Sequence, residues 1–247
     1  MSDQQLHFSG QRFSVEYHIQ GTKEEACRRA AVLCIDQTVE AADHVIPSGV
    51  IRDQLLGQML SIDRVGDGVH RATLTFPIEL LDGTMGTLQH MSFGMAGLQS
   101  RVRLANLSLP DEAIAQMAGP RFGSLKLRAL LEVPVRPLVC AVLKPLGLSA
   151  RALASLAYEF ALGEVDLIKD DQSLGDHPFC RFEERVTLCA EAVAKASRQT
   201  GRRCLYAPHV SGPWPTLLDR ASLAQNAGAG ALLLCPGLTG FDALGTL

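Results

Sequence analysis

The sequence lacks several features that would assign it quickly, and each absence excludes a class. No apolar run reaches the roughly 18 residues that mark a membrane span, and the opening Met1-Ser2-Asp3-Gln4-Gln5 is too polar for a secretory signal. A cytoplasmic protein is therefore expected. No two of the seven cysteines (Cys27, Cys34, Cys140, Cys180, Cys189, Cys204 and Cys235) stand close together. An odd, scattered count inside apolar segments argues against a disulfide framework or structural zinc, and reads as reduced core cysteine. There is no long basic run and the formal net charge is -3, so neither nucleic acid nor an anionic membrane is expected as a partner.

What is present suits a globular protein. With 47% apolar and 20% charged residues over 247 positions, the chain can bury a large core in one barrel-sized domain or two smaller ones. The first part mixes element types. Phe13 to Ile19 reads as a strand, and Thr22 with Glu25 three residues on forms a capping box for a helix to about Cys34. Val69 to Phe76 alternates, with Ala72, Leu74 and Phe76 on one face and Arg71, Thr73 and Thr75 on the other, as in a half-buried strand. Val102 and Leu104 alternate with Arg101 and Arg103 after a glycine-punctuated stretch from Asp82 to Gly97, and Asp111 is placed to cap a short helix ending at Gly119. This order suggests an α+β domain over residues 1–118.

From Gly119-Pro120 the pattern changes. Leu138 to Leu143, Val165 to Ile168, Cys204 to Ala207 and Ala231 to Cys235 are short apolar runs. They are separated by helical segments at Ser149 to Leu162, Phe182 to Ser197 and Thr216 to Asn226. Such a βαβαβαβ series implies parallel strands covered on both faces. Polar chemistry follows each run: Lys144 after the first, Lys169-Asp170-Asp171-Gln172 after the second, His209 and Ser211 after the third, Cys235-Pro236 after the fourth. In (β/α) barrels the C-terminal strand ends carry the active site. A closed barrel takes eight units in roughly 200 or more residues, and four strands fit before Leu247, so a truncated or partial chain is expected.

Taken alone, each of these side chains has an ordinary reading. A Lys-Asp-Asp triplet can be a surface ion-pair cluster, and Asp170 can orient its neighbours without touching a ligand. Lys144, after an apolar run and before a proline, is expected to point into the site and to be desolvated there, which would make it a better base. His209 is a candidate for substrate contact and equally a hydrogen-bonded loop residue.

Four passages resemble the large chain of ribulose bisphosphate carboxylase, and more closely the RuBisCO-like proteins. They are Gly119-Pro120-Arg121-Phe122-Gly123, Leu143-Lys144-Pro145-Leu146-Gly147-Leu148-Ser149, Val165 to Gln172, and Pro178-Phe179 with Arg181 to Arg185. Weaker landmarks lie in Asp36-Gln37-Thr38-Val39-Glu40 and Phe76-Pro77. The resemblance implies an α/β fold: an N-terminal α+β (ferredoxin-like) domain, then the first half of a (β/α)8 TIM barrel over 119–247. It also implies a homodimer in which one subunit's first domain completes its partner's site.

By position, the resemblance makes Lys169 the lysine that CO2 carbamylates and Asp171 a Mg2+ ligand. Gln172 stands where the carboxylases carry a glutamate ligand. A neutral amide oxygen holds a hard cation less strongly than a carboxylate, and some RuBisCO-like proteins also lack that glutamate. Lys144 matches the lysine that shuttles a proton next to a carbonyl, although the second lysine of that segment is absent and the segment is one residue shorter. Asp36 aligns with a glutamate that reaches the neighbouring site, and Met91 replaces a substrate-holding asparagine. These departures argue against carboxylation of ribulose bisphosphate. The expected activity is a Mg2+-stabilised enediolate reaction on a phosphorylated ketose or 3-keto sugar-acid phosphate, of decarboxylase, isomerase or enolase type, with sugar-acid phosphate decarboxylation favoured. The alternatives are a non-catalytic truncated subunit and an authentic carboxylase.

Overall fold

A computed structural model describes residues 7–117 and 119–247. The chain divides into two compact units that meet at Gly119 and Pro120. No helix among the described residues is long and apolar enough to cross a membrane.

In the first unit, β1 (Arg12–Gln20) is the centre of an antiparallel sheet with β2 (Gln58–Gly66), β3 (Val69–Pro77) and β4 (Val102–Ser108), in the order β2-β3-β1-β4. Strict alternation builds its inner face. Phe13, Val15, Tyr17 and Ile19 of β1 and Ala72, Leu74 and Phe76 of β3 are all fully buried, and the Phe13 and Phe76 rings meet at 5.6 Å. That face packs with α1 (Lys23–Asp36) and α2 (Met85–Leu98), which supply Ala26, Ala30, Leu33, Leu88 and Met91 to the same cluster. The capping box at the start of α1 forms as expected: Glu25 N donates to Thr22 Oγ1 at 3.2 Å and Thr22 N to Glu25 Oε2 at 2.7 Å.

Just past α1, the buried Gln37 ties the helices together. Its amide donates to Met91 O at 2.7 Å and its Oε1 accepts from Met95 N at 2.8 Å. Gly57 lies so close to the end of α1 that a Cβ there would meet Cys34 O at 2.7 Å. The unit closes with α3 (Asp111–Ala115), where Pro110 occupies the cap position and Asp111 is the first helical residue. Asp111 therefore supports the helix by its charge in the first turn rather than as a hydrogen-bonded cap.

The second unit begins with α4 (Gly123–Leu131) and continues with β5 (Cys140–Leu143), α5 (Ala150–Leu162), β6 (Leu167–Asp170), α6 (Phe182–Thr200), β7 (Leu205–Ala207) and α7 (Trp214–Asn226). The three strands are parallel in chain order. Ser149 caps α5 by accepting from Ala152 N at 3.3 Å. One face of the sheet packs Leu143 and Ile168 against Leu153, Ala157 and Ala161 of α5 and Val186, Cys189 and Val193 of α6. The opposite face gathers Leu167 and Leu205 with Leu131 and Val133. This is an arc of a (β/α) barrel.

Three features differ from the sequence expectation. Coverage on both faces does not extend to β5, where Cys140 is exposed; among the described residues β5 pairs only with β6. The Ala231-to-Cys235 run continues the parallel pairing through a single bridge, Leu233 to His209, rather than a full strand, and short helices α8 (Pro236–Thr239) and α9 (Asp242–Thr246) follow it. Finally, β6 does not stop at Ile168 but runs on through Lys169 and Asp170.

Candidate active site at the strand ends

Because β6 includes Lys169 and Asp170, strand alternation sends their side chains to opposite faces. Asp170 shares the face of Ile168 and is fully buried. There Arg185 Nε donates to its Oδ2 at 3.1 Å, Tyr206 OH to Oδ1 at 2.8 Å and His209 N to Oδ2 at 3.1 Å. Arg185, also fully buried, spends its remaining donors on the Gly175, Cys180 and Leu174 carbonyls at 3.0, 3.3 and 3.3 Å. Burial, the largest single influence, would lower the Arg185 pKa, but the Asp170 carboxylate together with Cys180 and Tyr206 turns the net shift upward. Asp170 thus locks strand, helix and following loop together. At the other end of β6, Arg136 grips Asp166 with two hydrogen bonds of 2.7 and 2.6 Å. The strand is pinned at both ends by charge-assisted pairs.

Lys169 lies on the other face, partly buried, and its ammonium donates to the Asp170 carbonyl at 2.9 Å. Among the described residues it makes no ion pair with either neighbouring carboxylate. The cations paired to them come from elsewhere. Arg185 serves Asp170, and Lys144 Nζ lies 3.0 Å from Asp171 Oδ2. Register explains the second pair: Leu143 is opposite Asp170 in the parallel ladder, so Lys144 and Asp171 leave the sheet side by side. Lys144 is not desolvated as expected, since 62% of its side chain is exposed.

Asp171 is buried, and its oxygens differ. Oδ1 accepts from both Ser173 N at 3.0 Å and Ser173 Oγ at 2.6 Å. Among the described residues Oδ2 has only the approach of Lys144, which is an ion pair without an aligned hydrogen bond. The Ser173 donors, followed by Lys144, hold the Asp171 pKa far below the usual carboxylate range. Gln172 is exposed on the same loop. His177 helps shape this loop: its Nε2 lies 2.9 Å from Ser173 O and 3.1 Å from Gly175 N, and its ring stacks on Phe179 at 5.0 Å.

His209 is buried at the end of β7, with Nδ1 3.4 Å from Leu174 O and Nε2 without a partner among the described residues. Burial lowers its pKa. Asp36 belongs to the first unit, half-buried in the last turn of α1, where burial and then Glu40 raise its pKa. Met91 is buried in α2. The structure thus brings Lys144 together with Asp171, sets Lys169 beside them in the ladder, and places His209 one strand over. Asp36 lies outside that unit.

Sequence reading missed Ser173, Arg185 as the partner of Asp170, and Tyr206. Ser173 carried a usable signal: an Asp accepting from the backbone two residues on is an Asx turn, for which Asp-x-Ser is a common signature. The donor set also bears on a cation. Asp171 Oδ2 is buried, ionised and short of hydrogen bonds, and a cation already lies beside it, which is the chemistry of a hard-cation ligand. Lys169 would bring oxygen only once carbamylated and Gln172 is an amide. Consistent with that, no three His, Cys, Asp or Glu side chains gather as a metal site among the described residues.

Parallel strands joined by helices, with reactive side chains collected at the strand C-termini, define a (β/α)-barrel protein with a strand-end site. Residues 124–247 match the model of the ribulose bisphosphate carboxylase large chain, catalytic domain, and the chain belongs to that family, among its RuBisCO-like members. It is 35% identical to ribulose bisphosphate carboxylase-like protein 1 of Rhodopseudomonas palustris over 230 residues, covering 93% of this chain and 62% of the relative. It is 32% identical, with the same coverage of both chains, to 5-methylthioribulose-1-phosphate isomerase of Rhodospirillum rubrum. The crystal structure of a Rubisco-like protein from Rhodopseudomonas palustris superposes with a TM-score of 0.87 at 32% identity, over 95% of this chain and 66% of that one. The chain spans about two thirds of the length of these relatives.

Proposed function

We propose that this chain supplies the proton-transfer site of a RuBisCO-like enzyme that enolises a phosphorylated ketose or keto sugar acid. The observation that carries the reading is Lys144 paired at 3.0 Å with Asp171 at the mouth of the parallel sheet, two residues along from Lys169. Isomerisation takes precedence over decarboxylation because a relative covering 93% of the chain is named a 5-methylthioribulose-1-phosphate isomerase.

In this reading carbamylated Lys169, Asp171 and Gln172 would hold Mg2+. Bound there, the ion would supply Lewis-acid stabilisation of negative charge on a substrate oxygen. The remaining roles fall to side chains of this chain. Lys144 Nζ holds and returns the proton at the carbon next to the carbonyl. Ser173 keeps Asp171 ionised and oriented, while Asp170 and its three donors fix the strand that carries Lys169. His209 Nε2, buried at the next strand end and unpaired among the described residues, is available to a substrate oxygen or hydroxyl. A homodimer, in which Asp36 of one protomer reaches the site of its partner, belongs to the same proposal.

The test is solvent-deuterium exchange followed by proton NMR, with the full chain, Mg2+ and bicarbonate. 5-Methylthioribulose 1-phosphate should lose the proton signal next to its carbonyl, and Lys144→Met should abolish that loss. Absence of exchange on any phosphorylated ketose would favour the non-catalytic reading. CO2 fixation on ribulose bisphosphate would replace the proposal with a carboxylase.

A further inference from the structure

The two oxygens of Asp171 are not equivalent, and the difference bears on how the site is loaded. Oδ1 is saturated by the backbone and hydroxyl donors of Ser173. Oδ2 is buried and has one charged neighbour among the described residues, the Lys144 ammonium at 3.0 Å. Lys144 in turn makes no hydrogen bond to any other group among the described residues, and most of its side chain is in solvent. The ammonium is therefore held by a single contact, on the one oxygen that Ser173 leaves open.

A divalent cation bound through Oδ2 would sit about 2 Å from that oxygen, inside the space the ammonium now takes. Two cations at one oxygen repel, and the more weakly tethered one leaves. We infer that Lys144 is a built-in stand-in for the metal: its ammonium and Mg2+ compete for Asp171 Oδ2, so that loading the site ejects Lys144 and delivers it to the substrate side. The inference rests on the metal reading given above and adds an order of events, in which the proton-carrying lysine becomes available only once the cation is in place. By linkage, whatever strengthens the Lys144 contact weakens the metal by the same factor.

Isothermal titration calorimetry of the full chain with Mg2+ in bicarbonate buffer tests this without any turnover. Lys144→Met should bind Mg2+ about three- to five-fold more tightly than the wild type, the size expected for losing an ion pair with one exposed partner. Lys144→Gln should show the same gain and guards against a defect peculiar to one variant. Lys144→Arg keeps a cation in reach and should stay close to wild type. If wild type binds Mg2+ while both neutral variants bind equally or more weakly, the competition is wrong and the metal reading stands. If neither wild type nor the neutral variants bind Mg2+, both fall together.

Discussion

Behind the sheet, Asp170 receives three hydrogen bonds from Arg185, Tyr206 and the His209 backbone, all in full burial. At the mouth, Asp171 receives two hydrogen bonds on one oxygen and leaves the other to a lysine that is mostly in water. The two carboxylates belong to consecutive residues. A fully buried charge with both oxygens engaged offers no open oxygen to a ligand, and its worth lies in fixing geometry. A buried carboxylate with one oxygen open is unfinished as structure, and that makes it useful chemically. The Lys-Asp-Asp triplet therefore joins two unlike carboxylate environments at the end of one strand.

The contrast breaks most visibly at Arg185. Arg185→Ala leaves Asp170 buried and unpaired, and should cost about 3–5 kcal/mol of stability in urea unfolding; a loss below about 1 kcal/mol would show that the network is not what holds β6. On the other side of the strand, Ser173→Ala removes one hydrogen bond and should cost about 1 kcal/mol of stability, well short of Arg185→Ala, while weakening Mg2+ binding by about 10–100-fold, the usual range for a residue that orients a metal ligand. Equal damage to stability and binding would erase the distinction. Thr22→Ala, in the first unit, removes one arm of the capping box and should cost about 1 kcal/mol with Mg2+ affinity unchanged.

The gentlest effect is in pH. Burial lowers the His209 pKa from its ordinary 6.5, so the unfolded chain takes up that proton first. The stability linked to His209 is complete above 6.5 and is lost as pH falls through the lower folded value. The Asp171 carboxyl is depressed from 3.8 by Ser173 and then Lys144; its contribution is complete above 3.8 and is lost only in stronger acid. Melting temperature against pH should therefore decline in two stages, with His209→Gln flattening the upper stage and Asp171→Asn the lower one.

Much of the fold could be read where period and cap agreed. Strands β1 and β3 and helices α1, α5 and α6 carry alternation, a capping residue or a long apolar stripe, and all lie close to their expected positions. Helix α2 was missed because glycines 86, 94 and 97 look like punctuation and its apolar residues run all round rather than forming a stripe. Strand β2 was missed because it is an edge strand that exposes Met59 and Leu60 instead of alternating.

The site divides in the same way. Lys144 and Asp171 could be placed together because consecutive parallel strands end at one level. The surroundings of Asp170 could not, because Arg185 and Tyr206 lie 15 and 36 residues further along and nothing local marks them as partners. The exposure of Lys144 was misjudged for a related reason: an apolar strand does not determine how far the residue after it stands from the core.

The four-residue length of β6 has a practical consequence for anyone mapping this protein by saturation mutagenesis. Ile168 and Asp170 are fully buried in the fold, whereas Lys169 and Asp171 are the residues assigned to ligand in the proposed function. A scan scored separately for cellular abundance and for ligand response should show the two readouts trading places at every step from 168 to 171. That alternation would report the strand's orientation with no coordinates at all.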